Sequence, residues 1–530
     1  ENMIKFWKPF RVILSIVILL MVAFIFLDFR QNISSSWYQT TTYLQFVPSV
    51  TRFLTVAGIV SAGFIVVLLL TLIFGRVYCS FICPLGIVQD VISFFAKKFR
   101  RKKFRFKYGK PKNMIRYSFL GIAIIPLLFG SVILTGLLDP YSNFGRIFTN
   151  LGRPLYISTN NLLAELLIRI KVYSMAPEQM ASFDIPAVIY SVIILGVILV
   201  MASKWGRLYC NTVCPVGTFL GLLSRFSILK IRIDQSTCNK CAKCAIACKS
   251  QCINLKDQSV DFSRCVGCFN CLNACEDKSI TYRLSFSKKD KEPLKVVEQA
   301  PEKKNPVNQS KRQFISDSLV LAGAMLGIKA TARAEDKESK LIPIEKEFPC
   351  SPPGSVGLKH FNNSCTACHL CVSACPNGAI RPSLLQYGLE GFLQPFMDPS
   401  AGYCNFDCTV CGEVCPTGAI LPLTIEEKQV TQIGIAKFVK HNCVVHTDGT
   451  LCGACSEHCP TKAVKMIPYK NELNIPEVEP ELCVGCGACE HACPVRPHRA
   501  IYVDGLEVQQ IAKKPEIKES KEGSLEEFPF

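Results

Sequence analysis

The chain has 530 residues, 30 of them cysteine, and a formal net charge of +18 from 60 basic and 42 acidic residues. Hydrophobic residues make up 49% of it, which excludes general disorder and is too apolar for an ordinary soluble enzyme. The charge is uneven: residues 335–530 hold 17 Lys/Arg against 25 Asp/Glu, a net −8, which leaves +26 on residues 1–334. Basic residues set beside apolar runs indicate membrane loops and argue against a nucleic-acid partner.

Four apolar runs without a charged residue open the chain, at 12–27, 53–74, 117–138 and 185–203. At 1.5 Å per residue they are expected to cross a bilayer as a four-helix membrane domain over 1–228. Lys5, Lys8 and Arg11 precede the first run, and ten Lys/Arg fill residues 97–112, whereas only Arg30 and Arg52 lie between the first two runs. The positive-inside rule then puts the N-terminus and the chain after the fourth run in the cytoplasm.

The second and fourth runs are each followed by one motif. Gly75-Arg76-Val77-Tyr78-Cys79 leads to Cys83-Pro84-Leu85-Gly86, and Gly206-Arg207-Leu208-Tyr209-Cys210 leads to Cys214-Pro215-Val216-Gly217. A parallel duplication of this kind places a site between the repeats. Cys79, Cys83, Cys210 and Cys214 are candidates for a seventh cluster or a metal, for redox-active dithiols, or for packing thiols.

A cytoplasmic ferredoxin domain is expected at 229–287. Cys238, Cys241, Cys244 and Cys248 form one run, and Cys265, Cys268, Cys271 and Cys275 a second, with the x2-x2-x3 spacing of bacterial two-cluster ferredoxins. Three thiolates grip one cubane and the fourth reaches the other, so Cys248 serves the second cluster and Cys275 the first. The proline usual after the fourth cysteine is replaced by Lys249 and Glu276. Cys252 is surplus, and packing is the favoured role.

Residues 288–334 read as a charged linker followed by an export-like segment. Lys311-Arg312-Gln313-Phe314, the apolar run 318–328 and Ala332-Arg333-Ala334 look like a twin-arginine signal placed inside the chain. This would carry the acidic C-terminal domain outward. Whether cleavage follows Ala334 is open.

Residues 335–510 contain four further groups, ahead of a tail at 511–530. They are Cys365, Cys368, Cys371 and Cys375; Cys404, Cys408, Cys411 and Cys415; Cys443, Cys452, Cys455 and Cys459; and Cys483, Cys486, Cys489 and Cys493. Each ends in Cys-Pro, and together they call for four [4Fe-4S] clusters. Cys365-Thr366-Ala367-Cys368-His369 also matches the c-type haem pattern, but it lies inside a complete ferredoxin run, with His369 as a surface or supporting residue. Cys350 has no assigned role.

The order of parts resembles a known pair. Residues 1–287 are similar to NapH-type membrane ferredoxins, on the strength of the four runs, the two C-x3-C-P motifs and the two ferredoxin runs. Residues 310–505 are similar to NapG-type exported ferredoxins. The resemblance implies a fused quinol dehydrogenase: an α-helical membrane domain plus α+β bacterial ferredoxin-like domains holding six [4Fe-4S] clusters. It implies that the first and last C-terminal motifs pair, placing Cys365, Cys368 and Cys371 with Cys493 and Cys483, Cys486 and Cys489 with Cys375. It likewise places Cys404, Cys408 and Cys411 with Cys459, and Cys443, Cys452 and Cys455 with Cys415. It also suggests a quinol region at Asp139, Tyr141 and Arg146, where the alternative is an interfacial helix-capping turn.

The function expected from these features is electron transfer from quinol through clusters to a periplasmic redox partner. The partners are then membrane lipid and the quinone pool, and the location a bacterial inner membrane. The flow could also run in reverse. A membrane metal reductase or maturation factor, or an anchoring subunit of a larger complex, are the alternatives. No Gly-rich nucleotide fingerprint follows a strand.

Overall fold

The computed structural model describes residues 2–28, 33–56, 58, 61–100, 106–178, 184–284 and 341–514. The export-like segment lies outside the described residues.

Two helices are long and apolar enough to cross a membrane, Trp7–Leu27 (within Asn2–Leu27) and Ile185–Trp205. Both expose apolar side chains, among them Ile13, Leu20, Phe24, Val192 and Val200. The other two expected spans are broken, which corrects the sequence reading. Phe46–Thr55 and Gly63–Phe74 are separate helices, and the second rises only about 18 Å. Ser49 stabilises this break: its Oγ accepts from Phe64 N at 2.8 Å and donates to Ser61 O at 3.0 Å. The third run divides into Asn113–Leu128 and Ile133–Leu138 around Gly130, whose φ is +86°.

The duplicated motif has a physical reading at each position. Gly75 (φ +79°) and Gly206 (φ +68°) terminate the Gly63–Phe74 and Ile185–Trp205 helices at a positive φ that favours glycine. Pro84 and Pro215 start the next helices, Pro84–Arg100 and Pro215–Leu223, where a missing N–H costs nothing. Gly86 and Gly217 permit close approach, because a Cβ there would lie 2.3 Å from Cys79 O and 2.2 Å from Cys210 O.

The first ferredoxin domain is closed by strands Leu229–Ile233 and Ile280–Leu284, paired antiparallel from Leu229 opposite Leu284 to Ile233 opposite Ile280. The short hairpin Ile253–Asn254 with Ser259–Val260 lies between them in sequence. The C-terminal region holds two such units in tandem. Its second unit is closed by Thr431–Phe438 against Ile501–Ile511, with the Val464–Pro468/Asn474–Val478 hairpin inside. The first unit carries the Ile380–Pro382/Pro395–Met397 hairpin.

Both long helices touch both ferredoxin regions. Trp7 packs on Phe269 of the first domain at 5.8 Å between ring centroids. Nineteen residues later, about 28 Å along the axis, Phe26 packs against Tyr141 and Phe144. There Gly145 lies under the Cys368 carbonyl. The Ile185–Trp205 helix runs the opposite way. Tyr190 meets Phe392 of the C-terminal region, and just past the far end Arg207 N donates to Lys249 O at 3.0 Å. The two ferredoxin regions therefore flank the helical region at opposite ends.

Candidate iron–sulfur sites

The cysteine loops share one backbone shape wherever the spacing is regular. The residues just before and just after the second cysteine have positive φ: Lys240 and Ala242, Gly267 and Phe269, Ala367 and His369, Gly485 and Gly487. Successive turns of this kind point N–H groups into a concavity that suits an anion. Ala367 N, for example, donates to Cys365 Sγ at 3.4 Å. The two irregular loops depart from this shape, since Thr409 and Gly453 have φ −117° and −133° at the position after the second cysteine.

Cavities between loops show which thiols share a site. One is lined by Cys404, Cys408, Cys411 and Cys375. A second is lined by Cys443, Cys452, Cys455 and Cys493. Cys415 lies by Cys365, Cys368 and Cys371, and Cys459 by Cys483, Cys486 and Cys489. Adjacent motifs therefore pair, first with second and third with fourth. This corrects the first-with-last pairing implied by the resemblance. The physical reason is the tandem arrangement: each unit closes its own hairpin around its own two motifs.

In the first ferredoxin domain the expected exchange holds. Cys248 lines a cavity with Cys265, Cys268 and Cys271, and Cys275 lies by Cys238, Cys241 and Cys244. Cys252 lines the same cavity as Cys248, with their sulfurs 3.5 Å apart. It is thus in contact with a ligand rather than merely buried beneath it. Cys350 is buried, with Sγ 4.0 Å from Val503 O.

The residues suit iron–sulfur clusters. Burial and crowding push most of these thiols up, Cys268 to about 11 and Cys368 and Cys486 to about 12, so iron must displace the protons on binding. Hydrogen bonding with Cys252 pulls Cys248 down to about 7. Among the described residues no three His, Cys, Asp or Glu side chains converge on a point that would hold one metal ion. The thiols surround cavities instead.

His369 is buried, not at the surface. Nε2 lies 2.9 Å from Leu393 O and Nδ1 3.3 Å from Asn150 Nδ2. Burial, together with the nearby Arg146, holds its pKa down to about 3. Both ring nitrogens are occupied, and Cys365 and Cys368 belong to a ferredoxin site, so the haem pattern is coincidental.

The expected quinol region divides. Asp139 caps the Pro140–Ile147 helix, its Oδ2 accepting from Ser142 N at 2.8 Å and Ser142 Oγ at 2.7 Å. Arg146 joins the helical region to the C-terminal ferredoxin region, its donors going to Ala367 O (2.8 Å), Thr366 O (2.8 Å), Gly136 O (2.9 Å) and Asn143 Oδ1 (3.1 Å). Tyr141 is fully buried, and its hydroxyl has no hydrogen-bond partner.

Sequence reasoning missed the docking residues on the other side. Arg116 reaches Ser263 O at 2.7 Å, and Ser80 Oγ reaches Val266 O at 2.7 Å. Lys249, which stands where proline is usual, places its ammonium 3.4 Å from Asp90. The signal for it was that departure from Cys-Pro.

Comparison with known proteins agrees with these sites. A 4Fe-4S binding domain family matches residues 56–103 and 188–234. Three 4Fe-4S dicluster domain families match 261–379, 364–420 and 450–496. The second of these encloses the first C-terminal motif pair, and the third covers the second pair except Cys443. No solved structure matches the chain. The ferredoxin-type protein NapG of Escherichia coli is 26% identical over 192 residues, 34% of this chain and 80% of that protein. The methylamine utilization ferredoxin-type protein MauM of Paracoccus denitrificans is 35% identical over 158 residues, covering 29% of this chain and 69% of that protein. MauM of Methylorubrum extorquens is 32% identical over 201 residues, 36% of this chain and 86% of that protein. On its thiol sites and on this coverage of the MauM proteins, the chain belongs to their family of ferredoxin-type iron–sulfur proteins.

Proposed function

We propose that this electron-transfer protein is embedded in a membrane, holds six [4Fe-4S] clusters, and carries electrons from quinol through clusters to a redox partner on the far side. The observation that carries the reading is the placement of the two ferredoxin regions at opposite ends of two apolar helices. The exposed apolar faces of those helices and the basic loop at 97–112 support insertion. Clusters supply one-electron transfer; the chain supplies their order. Cys411 lies by Cys415, Cys404 N donates to Cys486 O at 2.9 Å, and Cys489 lies by Cys455. These contacts join the four C-terminal sites into one line. It starts at the site beside Gly145 and ends at Cys443, Cys452, Cys455 and Cys493.

Quinol oxidation releases two electrons and two protons. A cavity of about 340 Å³ lined by Phe46, Val50, Phe64, Leu120, Leu127 and Phe219 offers apolar room for an isoprenoid chain. The unpartnered Tyr141 hydroxyl, beside Cys368 and Cys415, is the candidate group for the head. The test is to mix anaerobically purified, oxidised protein with a reduced menaquinol analogue and follow cluster absorbance. Bleaching is expected. Absence of bleaching at every quinol-to-quinone ratio would overturn the quinol assignment.

A further inference from the structure

The line of four C-terminal sites leaves out the first ferredoxin region, at the other end of the long helices. Its two sites differ in exposure. The inner site, formed by Cys248, Cys265, Cys268 and Cys271, has every thiol buried. The outer site, formed by Cys238, Cys241, Cys244 and Cys275, does not. Cys238 and Cys275 are half-buried, and Cys241 is the one exposed cysteine of the thirty.

The inner site is wedged against the duplicated motifs. Their Cys79, Cys83, Cys210 and Cys214 lie buried close together, within the 4Fe-4S binding domain match. Both repeats touch the inner site. From the first, Arg76 Nη1 donates to Ser263 O at 3.0 Å and Ser80 Oγ to Val266 O at 2.7 Å, on either side of Cys265. A Cβ on Gly267, next to Cys268, would lie 3.2 Å from Val77 Cγ1. From the second repeat, Arg207 N donates to Lys249 O at 3.0 Å and Asn211 Nδ2 to Ser250 O at 3.4 Å, on the turn after Cys248. The inner site in turn meets the outer one. Cys271 lies by Cys244, and the Lys243–Ala247 helix carries Cys244 and leads directly into Cys248.

The polar contacts of the outer site are local. Cys241 N donates to Asn239 Oδ1 at 3.1 Å, and Lys243 pairs with Glu276 across the two loops. Its rim mixes exposed Lys240, Lys243 and Lys278 with exposed Asp234, Glu276 and Asp277. A rim of balanced charge exerts little long-range steering and suits the small, transient contacts of electron-transfer encounters. Electron tunnelling weakens steeply with distance, so a site with an exposed ligand is the one an external redox centre reaches.

We propose that the outer site is a second electron port, where a soluble one-electron carrier protein exchanges electrons with this chain on the side away from the C-terminal region. The inner site and the duplicated motifs connect it to the helical region. In each exchange the carrier is oxidised by one electron and the chain is reduced by one, or the reverse. No bond is made or broken and no proton moves. The chain then joins three pools: membrane quinol and one soluble partner at each end. The port rests on the membrane placement proposed above and not on quinol.

The experiment places the oxidised full-length chain in sealed liposomes, at no more than one copy per vesicle, with an affinity tag before Asn2. Trp7 packs on Phe269, so vesicles captured by the tag display the first ferredoxin region outward. The probe is a reduced sulfonated viologen, a one-electron donor that does not cross bilayers. Fast bleaching of cluster absorbance is expected in captured vesicles. The variant carrying Cys238→Ser and Cys241→Ser should lose about four irons and with them the fast bleaching of the remaining clusters. Where that variant does not accumulate, Lys243→Cys keeps every ligand, and a bulky maleimide label on it should slow the bleaching relative to the unlabelled variant. No bleaching of the wild type, or bleaching unchanged by ligand loss or by the label, would overturn the port. A menaquinol analogue added to the same bilayers bleaches the clusters or fails to do so separately.

Discussion

The ammonium of Lys249 lies 3.4 Å from the Asp90 carboxylate, which also holds Arg11 and Arg207, each at 2.8 Å. Lys249 follows a cluster ligand, and Asp90 sits on the helix that begins after the first C-x3-C-P motif. The pair therefore ties a ferredoxin loop to the helical region. The other missing proline, at Glu276, pairs with Lys243 at the exposed surface and contributes little.

Asp90→Asn leaves three buried or half-buried cations facing a neutral amide. A destabilisation of about 3–5 kcal/mol is expected, read as a lower unfolding midpoint in detergent. Lys249→Pro restores the usual residue and should cost less while keeping all iron. Equal midpoints for wild type and Asp90→Asn would refute the tie.

The tandem pairing is tested by combining ligand variants. Cys365→Ser and Cys415→Ser strike one site, so the double variant should lose about four irons, as either single variant does. Cys365→Ser with Cys493→Ser strikes two sites and should lose about eight. The reverse pattern would restore the first-with-last pairing.

Cys252→Ala should leave the iron count unchanged. With Cys248 bound to iron, the Cys252 S–H is the donor between them, and hydrogen bonds to cluster sulfurs favour the reduced, more negative state. The potential of the cluster held by Cys265, Cys268, Cys271 and Cys248 should therefore fall, as measured by a spectroscopic redox titration. Lost iron would instead make Cys252 a ligand.

Arg146→Ala removes charged hydrogen bonds to three backbone carbonyls, each worth about 1.5–3 kcal/mol. The C-terminal ferredoxin region should remain fully loaded but become more accessible to protease where it meets the Pro140–Ile147 helix. Unchanged cleavage would mean that the docking rests on other contacts, such as Thr55 Oγ1 to Thr417 O at 3.0 Å.

The grouping of three thiols from one loop around one cavity was legible in the sequence, because the spacing makes them face the same way. The partner of each fourth cysteine was not, because nested and tandem units use identical motifs and differ only in which strands close around them. Hydropathy located the apolar runs but not the break between the Phe46–Thr55 and Gly63–Phe74 helices. There Gly63 lies so near Tyr43 O that a Cβ would come within 1.9 Å, a contact between segments that no composition window registers. Arg146 entered the expected quinol region through the resemblance, which pointed to the polar-aromatic stretch 139–146. Two of its partners are the backbone carbonyls of Thr366 and Ala367 in the C-terminal ferredoxin region, which carry no sequence signature.

The two long helices also act as struts. They run in opposite directions between the same two docking faces, so each fixes the spacing that the other must match. Electron tunnelling weakens steeply with distance, and the gap is therefore written in helix rise. An extra turn in both would open it by about 5.4 Å. An extra turn in one alone would pull a docking face apart. The lengths of this pair are thus bound to each other, a constraint that bilayer thickness by itself would not impose.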